Sequence, residues 1–434
     1  MAKKIAEWKD LMDKGVLDQR MKEIYGCSDS KAHAYAERFG RVMSGFADTF
    51  LDVSDDAMAF EIGLYSAPGR TEIGGNHTDH QYGCVLAGSV NLDAVAAAAP
   101  NGLNVIRFFS EGYGMIKVDL STLTPVEEEK ESTAALIRGM AALIAGKGYN
   151  VGGVDVYCTS NVLGGSGLSS SAAFETLVGV ILGDLFCGNA FDAIEIAKMG
   201  QITENQYFGK PSGLMDQSAS SVGGVVAIDF GDPENPVVEK ISLDLAGEGY
   251  ALCIIDSKSS HADLTDAYAS IPKEMGSVAA YFGKTHLRGI SKEQLVENMA
   301  QIRKTCGDRA YLRALHFVLD NERAQLEAEA LRKKEFDRFL QLIRESGRSS
   351  YMYLQNTAVE GAVENQAVNI ALSLCDVLLD GRGAFRVHGG GFAGTVQAFV
   401  PLDMLESFRD AVDNAIAEGC CHVLSIRPVG GAVV

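Results

Sequence analysis

Four short stretches of this 434-residue chain gather residues whose types and spacing could do chemistry. The first, "APGRTEIGGNHTDHQYG" (Ala67–Gly83), sets Arg70, Glu72, Asn76, His77, Asp79 and His80 among glycines. A turn needs the glycines but not that density of charge and imidazole. His77, Asp79 and His80 are too crowded for the HxxxH spacing of a helical metal site. Carboxylate, imidazole and amide together offer both donors and acceptors, which suits a polyol. The Pro68–Gly69 pair reads as a turn that places Arg70.

The second stretch, "GGSGLSSSAA" (Gly164–Ala173), is a glycine turn running into a helix whose first turn holds Ser169, Ser170 and Ser171. Free N–H groups and the positive end of the helix dipole make such a start a natural phosphate site. Taken alone it reads first as a plain serine N-cap on a buried helix. It lacks the Lys-Ser/Thr ending of a Walker A loop and the later acidic residue of a dinucleotide fingerprint. The third stretch, "ENQYFGKPSGLMDQ" (Glu204–Gln217), puts Glu204 near a helix end and Asp216 in a loop after Gly213. One carboxylate can act as a general base while another holds Mg²⁺; the alternative is solvated surface charge. The fourth, "RVHGGGFAGT" (Arg386–Thr395), places three glycines between strand-like runs, as a ligand-approach loop or a plain hairpin turn. His388 reads as a packing or turn residue, and His261 and His316 as structural.

The elements that must position these stretches alternate between strands and helices. "FEIGLYSAPGR", "GCVLAGSVNLDAVAAAAP", the hairpin "NVIRFFSEG"/"GMIKVDL", "GGVDVYCTSNV", "YALCIIDSK" and "TVQAFVP" read as strands. "STAALIRGMAALIAGKG", "SSSAAFETLVGVILGDLF", "AIEIAKMGQITENQYFG" and "RALHFVLDNERAQLEAEALRKK" read as helices. Residues 1–60 are helical and polar and show no chemistry. This is an α+β or α/β pattern, long enough for about two domains, with a soft boundary near 225–245.

A net charge of −19 excludes a broad nucleic-acid-binding surface. An anion can still bind at a local site of backbone N–H groups and a few cations. Nine cysteines without a CxxC pair fit reduced thiols. No window reaches the roughly 20 apolar residues of a membrane span, and the N-terminus lacks the apolar core of a signal peptide. A cytoplasmic protein without membrane partners is expected; its oligomeric state stays open, a monomer being compatible.

Together the four stretches resemble the GHMP kinases, the galactokinases most closely. The family motif Gly-Arg-Val-Asn-Leu-Ile-Gly-Glu-His-Thr-Asp-Tyr stands here as "GRTEIGGNHTDH", and Gly-x-Gly-Leu-Ser-Ser-Ser-Ala as "GSGLSSSA". Glu…Gly-Ile-Met-Asp-Gln stands as "ENQYFGKPSGLMDQ" and Gly-Gly-Gly-Phe-Gly-Gly as "GGGFAG". The resemblance covers roughly residues 60–405, in family order.

The resemblance implies a two-domain α+β fold, 20–235 and 236–434, with the active site in the cleft between them. Asp216 would be the base facing the sugar C1 hydroxyl, with Arg70 keeping it ionised and steadying the transferring phosphoryl. Gly165, Ser166, Gly167, Leu168, Ser169, Ser170 and Ser171 would hold the ATP phosphates, and Ser171 and Glu204 would hold Mg²⁺. His77, Asp79, Gly213 and Tyr268 match sugar contacts, and Asn76 takes the place of a glutamate at the sugar's far end. The implied activity is ATP-dependent phosphorylation of galactose at O1. Other departures are Glu72 for an asparagine, Gly74 for an apolar residue, His80 for a tyrosine, Leu163 for a proline and Ser346–Gly347 for Ser-His. With a neutral amide at 76, a kinase for galacturonate or N-acetylgalactosamine is the neighbouring expectation. A galactose and ATP sensor without catalysis is a further one, against which the intact serine motif, Arg70 and Asp216 speak.

Overall fold

The computed structural model describes residues 2–52, 56–162, 164, 167–259 and 264–434. Gly165 and Ser166 of the expected ATP loop, with Leu163 and His261, lie outside the described residues.

Alternation along the strand Cys84–Pro100 organises the first half of the chain. Val95, Ala97 and Ala99 face one side, and Ala94, Ala96 and Ala98 the other, as a period of two requires. Both sides are covered, so residues 94–99 carry no polar side chain. Helices Thr133–Gly146, Ser170–Cys187 and Ala193–Thr203 cover one side with Met140, Leu177, Ile181 and Met199. The helix Ser170–Cys187 is apolar and long enough to cross a membrane, yet here it is a core helix.

The other side is covered by the N-terminal helices Ile5–Asp13, Val16–Tyr25 and Asp29–Phe50. Their Trp8, Met21, Phe39 and Phe46 pack on Ile62 and Leu64, each worth about 1.5–3 kcal/mol of burial. The segment without visible chemistry is therefore the lid of a sheet. It is fastened at Asp93, fully buried, whose carboxylate accepts from Tyr25, from Arg38, from Ser66 Oγ at 2.6 Å and from Arg427 Nη1 at 2.8 Å. Burial opposes ionisation there, but the two guanidiniums outweigh it and hold Asp93 below the usual carboxylate range.

The first sheet has nine strands among the described residues, with Glu61–Gly74 and Cys84–Pro100 antiparallel at its centre. The hairpin Val225–Asp229/Val237–Ile241 belongs to it, so the expected division at 235–236 falls inside that hairpin. Ala432–Val433 returns to it beside Tyr65 and Ser66. The second sheet is antiparallel, in the order Ala384–His388, Thr395–Pro401, Tyr250–Asp256 and Cys421–Leu424. Ile73, Leu86 and Leu168 of the first half share a core with Ile254, Phe339 and Phe399 of the second. The α+β class and two-part layout are as expected, and all nine cysteines are free thiols.

Two local expectations are corrected. Pro68–Gly69 is no turn: the strand runs on to Gly74 with a register shift between Pro68 and Arg70. Pairing along Cys84–Pro100 overrides the local turn preference, and the bulge re-aims Arg70. Asp216 is not in a loop but in the first turn of the helix Met215–Val222.

Candidate active site

Arg70 and Asp216 meet as a two-pronged pair. Arg70 Nε donates to Asp216 Oδ1 and Nη2 to Oδ2, both at 2.6 Å. The third guanidinium nitrogen, Nη1, donates to the Gly167 carbonyl, and the Arg70 backbone N–H to the Leu168 carbonyl at 2.9 Å. The serine loop is thereby tied to the bulged strand. Burial pushes Asp216 upward, but Arg70 and a Ser169 hydroxyl hold it below the usual carboxylate range. Its place in a helix's first turn favours the same ionised form. Asp216 keeps 27% of its side chain exposed, so an ionised, partly open carboxylate stands beside a helix start.

Ser171, in the first turn of the helix Ser170–Cys187, donates to Glu204 Oε1 at 3.0 Å. Glu204 closes the helix Ala193–Thr203 and opens a π-type turn, Glu204–Phe208. A hydroxyl and a carboxylate are hard oxygen donors, and Mg²⁺ takes one or two carboxylates with substrate phosphates. Among the described residues no group of three or more His, Cys, Asp or Glu is placed to hold a metal ion.

Behind this pair the structure adds residues the sequence reading missed. Gln217 Nε2 donates to Glu204 Oε2 at 2.9 Å and to Glu175 Oε2 at 3.0 Å. Glu175 is fully buried and its Oε1 has no partner. Burial, with the Glu204 charge adding, pushes it well above the usual carboxylate range. A single acid in the apolar run "AAFETLVGVILG" was the signal that could have found it. Lys210 Nζ also reaches Glu204 Oε1, at 3.4 Å.

The expected sugar residues fall into two groups. Asp79 and Gly213 are adjacent: a Cβ on Gly213 would lie 3.0 Å from Asp79 Oδ2. His77 and Tyr268 meet through the glycine loop. His77 Nε2 donates to the Gly390 carbonyl at 2.9 Å and Tyr268 Oη to the Gly391 carbonyl at 3.0 Å. Burial, with His80 adding, pushes His77 down to about 3, so its ring is neutral at neutral pH. Gly391 has φ +79°, and a Cβ there would collide with the Asn356 carbonyl, so only glycine fits. Asn76 joins neither group. It is fully buried, with its amide bonded inside the protein.

His388 lies closer to the chemistry than a packing role required. It is buried, and its Nε2 accepts from the Glu72 N–H at 3.2 Å and bonds Thr71 Oγ1 at 3.0 Å. Its Nδ1 bonds Thr395 Oγ1 at 2.8 Å. Burial, with Arg70 adding, pushes it down to about 3. A Cβ on Gly167 would lie 3.2 Å from its ring.

A helix start beside a cation–carboxylate pair, with a hydroxyl–carboxylate pair in that helix's first turn, is an arrangement suited to a small-molecule kinase. The comparisons agree with that class. The model of the GHMP kinases N terminal domain matches residues 135–224, and the galactokinase galactose-binding signature matches residues 52–100. The chain is 32% identical over 357 residues to a galactokinase of Actinobacillus pleuropneumoniae, covering 80% of this chain and 88% of that one. It is 30% identical over 354 residues to a galactokinase of Glaesserella parasuis, covering 80% and 87%. Its fold matches Lactococcus lactis galactokinase, solved with galactose, at a TM-score of 0.75 and 24% identity, over 91% of this chain and 99% of that one. Methanococcus jannaschii mevalonate kinase follows at 0.58 and 13%, over 84% and 98%. The chain belongs to the galactokinase family of GHMP kinases.

Proposed function

We propose that this protein transfers the γ-phosphoryl group of ATP to the anomeric O1 of galactose, giving galactose 1-phosphate, in the cytoplasm. The observation that carries this is the Arg70–Asp216 pair beside the start of the helix Ser170–Cys187, within a chain that also matches the galactose-binding signature.

Phosphoryl transfer needs positioning and charge neutralisation more than covalent chemistry. Asp216 accepts the hydrogen bond, and late in the transfer the proton, of the O1 hydroxyl. Arg70 keeps Asp216 ionised and faces the charge that builds on the transferring group. Gly167 to Ser171 offer backbone N–H groups and hydroxyls to the ATP phosphates. Ser171 and Glu204 would hold Mg²⁺, which when bound neutralises phosphate charge. Gln217 and Glu175 keep the Glu204 carboxylate oriented. His77, Asp79, Gly213 and Tyr268 line the sugar side, and Asn76 supports it from behind.

The test is ADP release with MgATP and a panel of galactose, galacturonate and N-acetylgalactosamine, with the product phosphate located by ³¹P NMR. Galactose with an anomeric phosphate is expected. Preference for galacturonate, or binding without ADP release, overturns the reading.

A further inference from the structure

Set beside the family motif, the first stretch exchanges two residue types four positions apart. Glu72 stands where the family has asparagine, and Asn76 where it has glutamate. In the structure the two side chains touch: Asn76 Nδ2 donates to Glu72 Oε1 at 2.8 Å. The same oxygen receives Arg386 Nη2 at 2.6 Å. Arg386 is fully buried, and its other donors reach the Ile73 and Val387 carbonyls. Glu72 is thus the carboxylate that neutralises Arg386.

Every polar atom of the Asn76 side chain is in use. Nδ2 also donates to the Gly389 carbonyl at 2.7 Å. Oδ1 accepts from Asn356 Nδ2 at 2.8 Å and Ser350 Oγ at 3.3 Å. Its backbone is held too: the N–H donates to Asp320 Oδ2 and the carbonyl accepts from His316 Nε2, both at 2.9 Å. The Gly389–Gly391 loop gripped by Asn76 is the one that receives His77 and Tyr268. A third departure belongs to the same patch, since a Cβ on Gly74 would collide with the Glu327 carboxylate.

We propose that Glu72 and Asn76 act as one exchanged unit that seats the Gly389–Gly391 loop against His77 and Tyr268, making Glu72 a positioning residue for the sugar site. The exchange conserves one carboxylate, one amide and the summed length of the two side chains. Reversing one member does not. Glu72→Asn leaves the buried Arg386 without its carboxylate. Asn76→Glu sets two carboxylates face to face beside Asp320. Reversing both restores one charge and one amide, with Asn356 and Ser350 as donors to a carboxylate at 76. The kinetic part rests on the galactose reading; the coupling does not.

The experiment is a double-mutant cycle on the full chain, Glu72→Asn, Asn76→Glu and both together, read by thermal unfolding and by galactose kinetics. Each single variant is expected to lower the unfolding midpoint by about 5 °C or more. Each should raise the galactose KM about tenfold with a smaller change in kcat. The double variant should recover at least half of both losses. Singles that yield no soluble protein beside a soluble double also support the unit. Losses that simply add, singles indistinguishable from the parent, or a double that does not fold overturn it. Stability recovered without KM overturns the positioning role. A parent inactive on galactose refutes the proposed function instead, and the thermal cycle still decides the coupling.

Discussion

Replacing Arg70 with methionine separates its roles. The substitution keeps most of the side chain's length and removes two charge-assisted hydrogen bonds of 2.6 Å to Asp216 together with the bond to the Gly167 carbonyl. Breaking one member of a buried pair costs about 3–5 kcal/mol. Asp216 keeps 27% of its side chain exposed, so the lower figure applies to folding stability; losing a donor that faces the developing charge separately costs about a hundredfold or more in kcat. A second signature is independent of size. Burial already pushes Asp216 upward and Arg70 outweighs it, so in the variant Asp216 titrates higher and the acid limb of kcat/KM moves to higher pH. A depressed carboxylate contributes stability above its unfolded pKa and loses it as pH falls. The stability gap between parent and variant is therefore widest at neutral pH and closes in acid. ADP release and urea unfolding from about pH 5 to pH 9 read both signatures. A variant with kcat/KM within threefold of the parent and an unmoved acid limb would refute the assignment.

Asp216→Asn should lower kcat about a thousandfold or more while leaving MgATP binding within a few-fold by calorimetry; near-full turnover removes the base role. Gln217→Leu takes away the donor shared by Glu175 and Glu204. About tenfold more Mg²⁺ should then be needed for half-maximal rate, together with a lower unfolding midpoint, and an unchanged Mg²⁺ requirement counts against the relay. Glu327 is buried with both oxygens unpartnered, and burial, with Asp320 adding, raises it well above the usual carboxylate range. A raised acid contributes stability below its unfolded pKa that is lost as pH rises, so Glu327→Met should gain on the parent as pH rises above the ordinary glutamate range, read by urea unfolding. A pH-independent difference speaks against a buried titrating acid.

Much of the site was legible because its residue types are unusual for where they sit. Arg70, Asp216, Ser171 and Glu204 stood out as charges and hydroxyls among glycines, and the fold brings them into two bonded pairs. Their backbone setting was less legible. Pro-Gly prefers a turn locally, but fourteen residues of strand paired with Cys84–Pro100 override it. Asn76 takes the place of a family glutamate at the sugar's far end, yet its amide is bonded inside the protein. Its orientation depends on Asn356, Ser350 and Gly389, more than 270 residues away, which no local pattern encodes. The helices of residues 5–50 carry an apolar stripe with no chemistry, and only the sheet face it covers gives it meaning.

The carboxylate of Asp93 binds Tyr25 and Arg38 on one side and Arg427, 334 residues downstream, on the other. The helices of residues 5–50 are synthesised before Arg427, so their fastening point stays short of one cation until that residue is made. Until then Asp93 is buried with only part of its compensation, or its surroundings stay open. That fastening spans a long sequence separation, which lengthens the mean contact separation and slows folding.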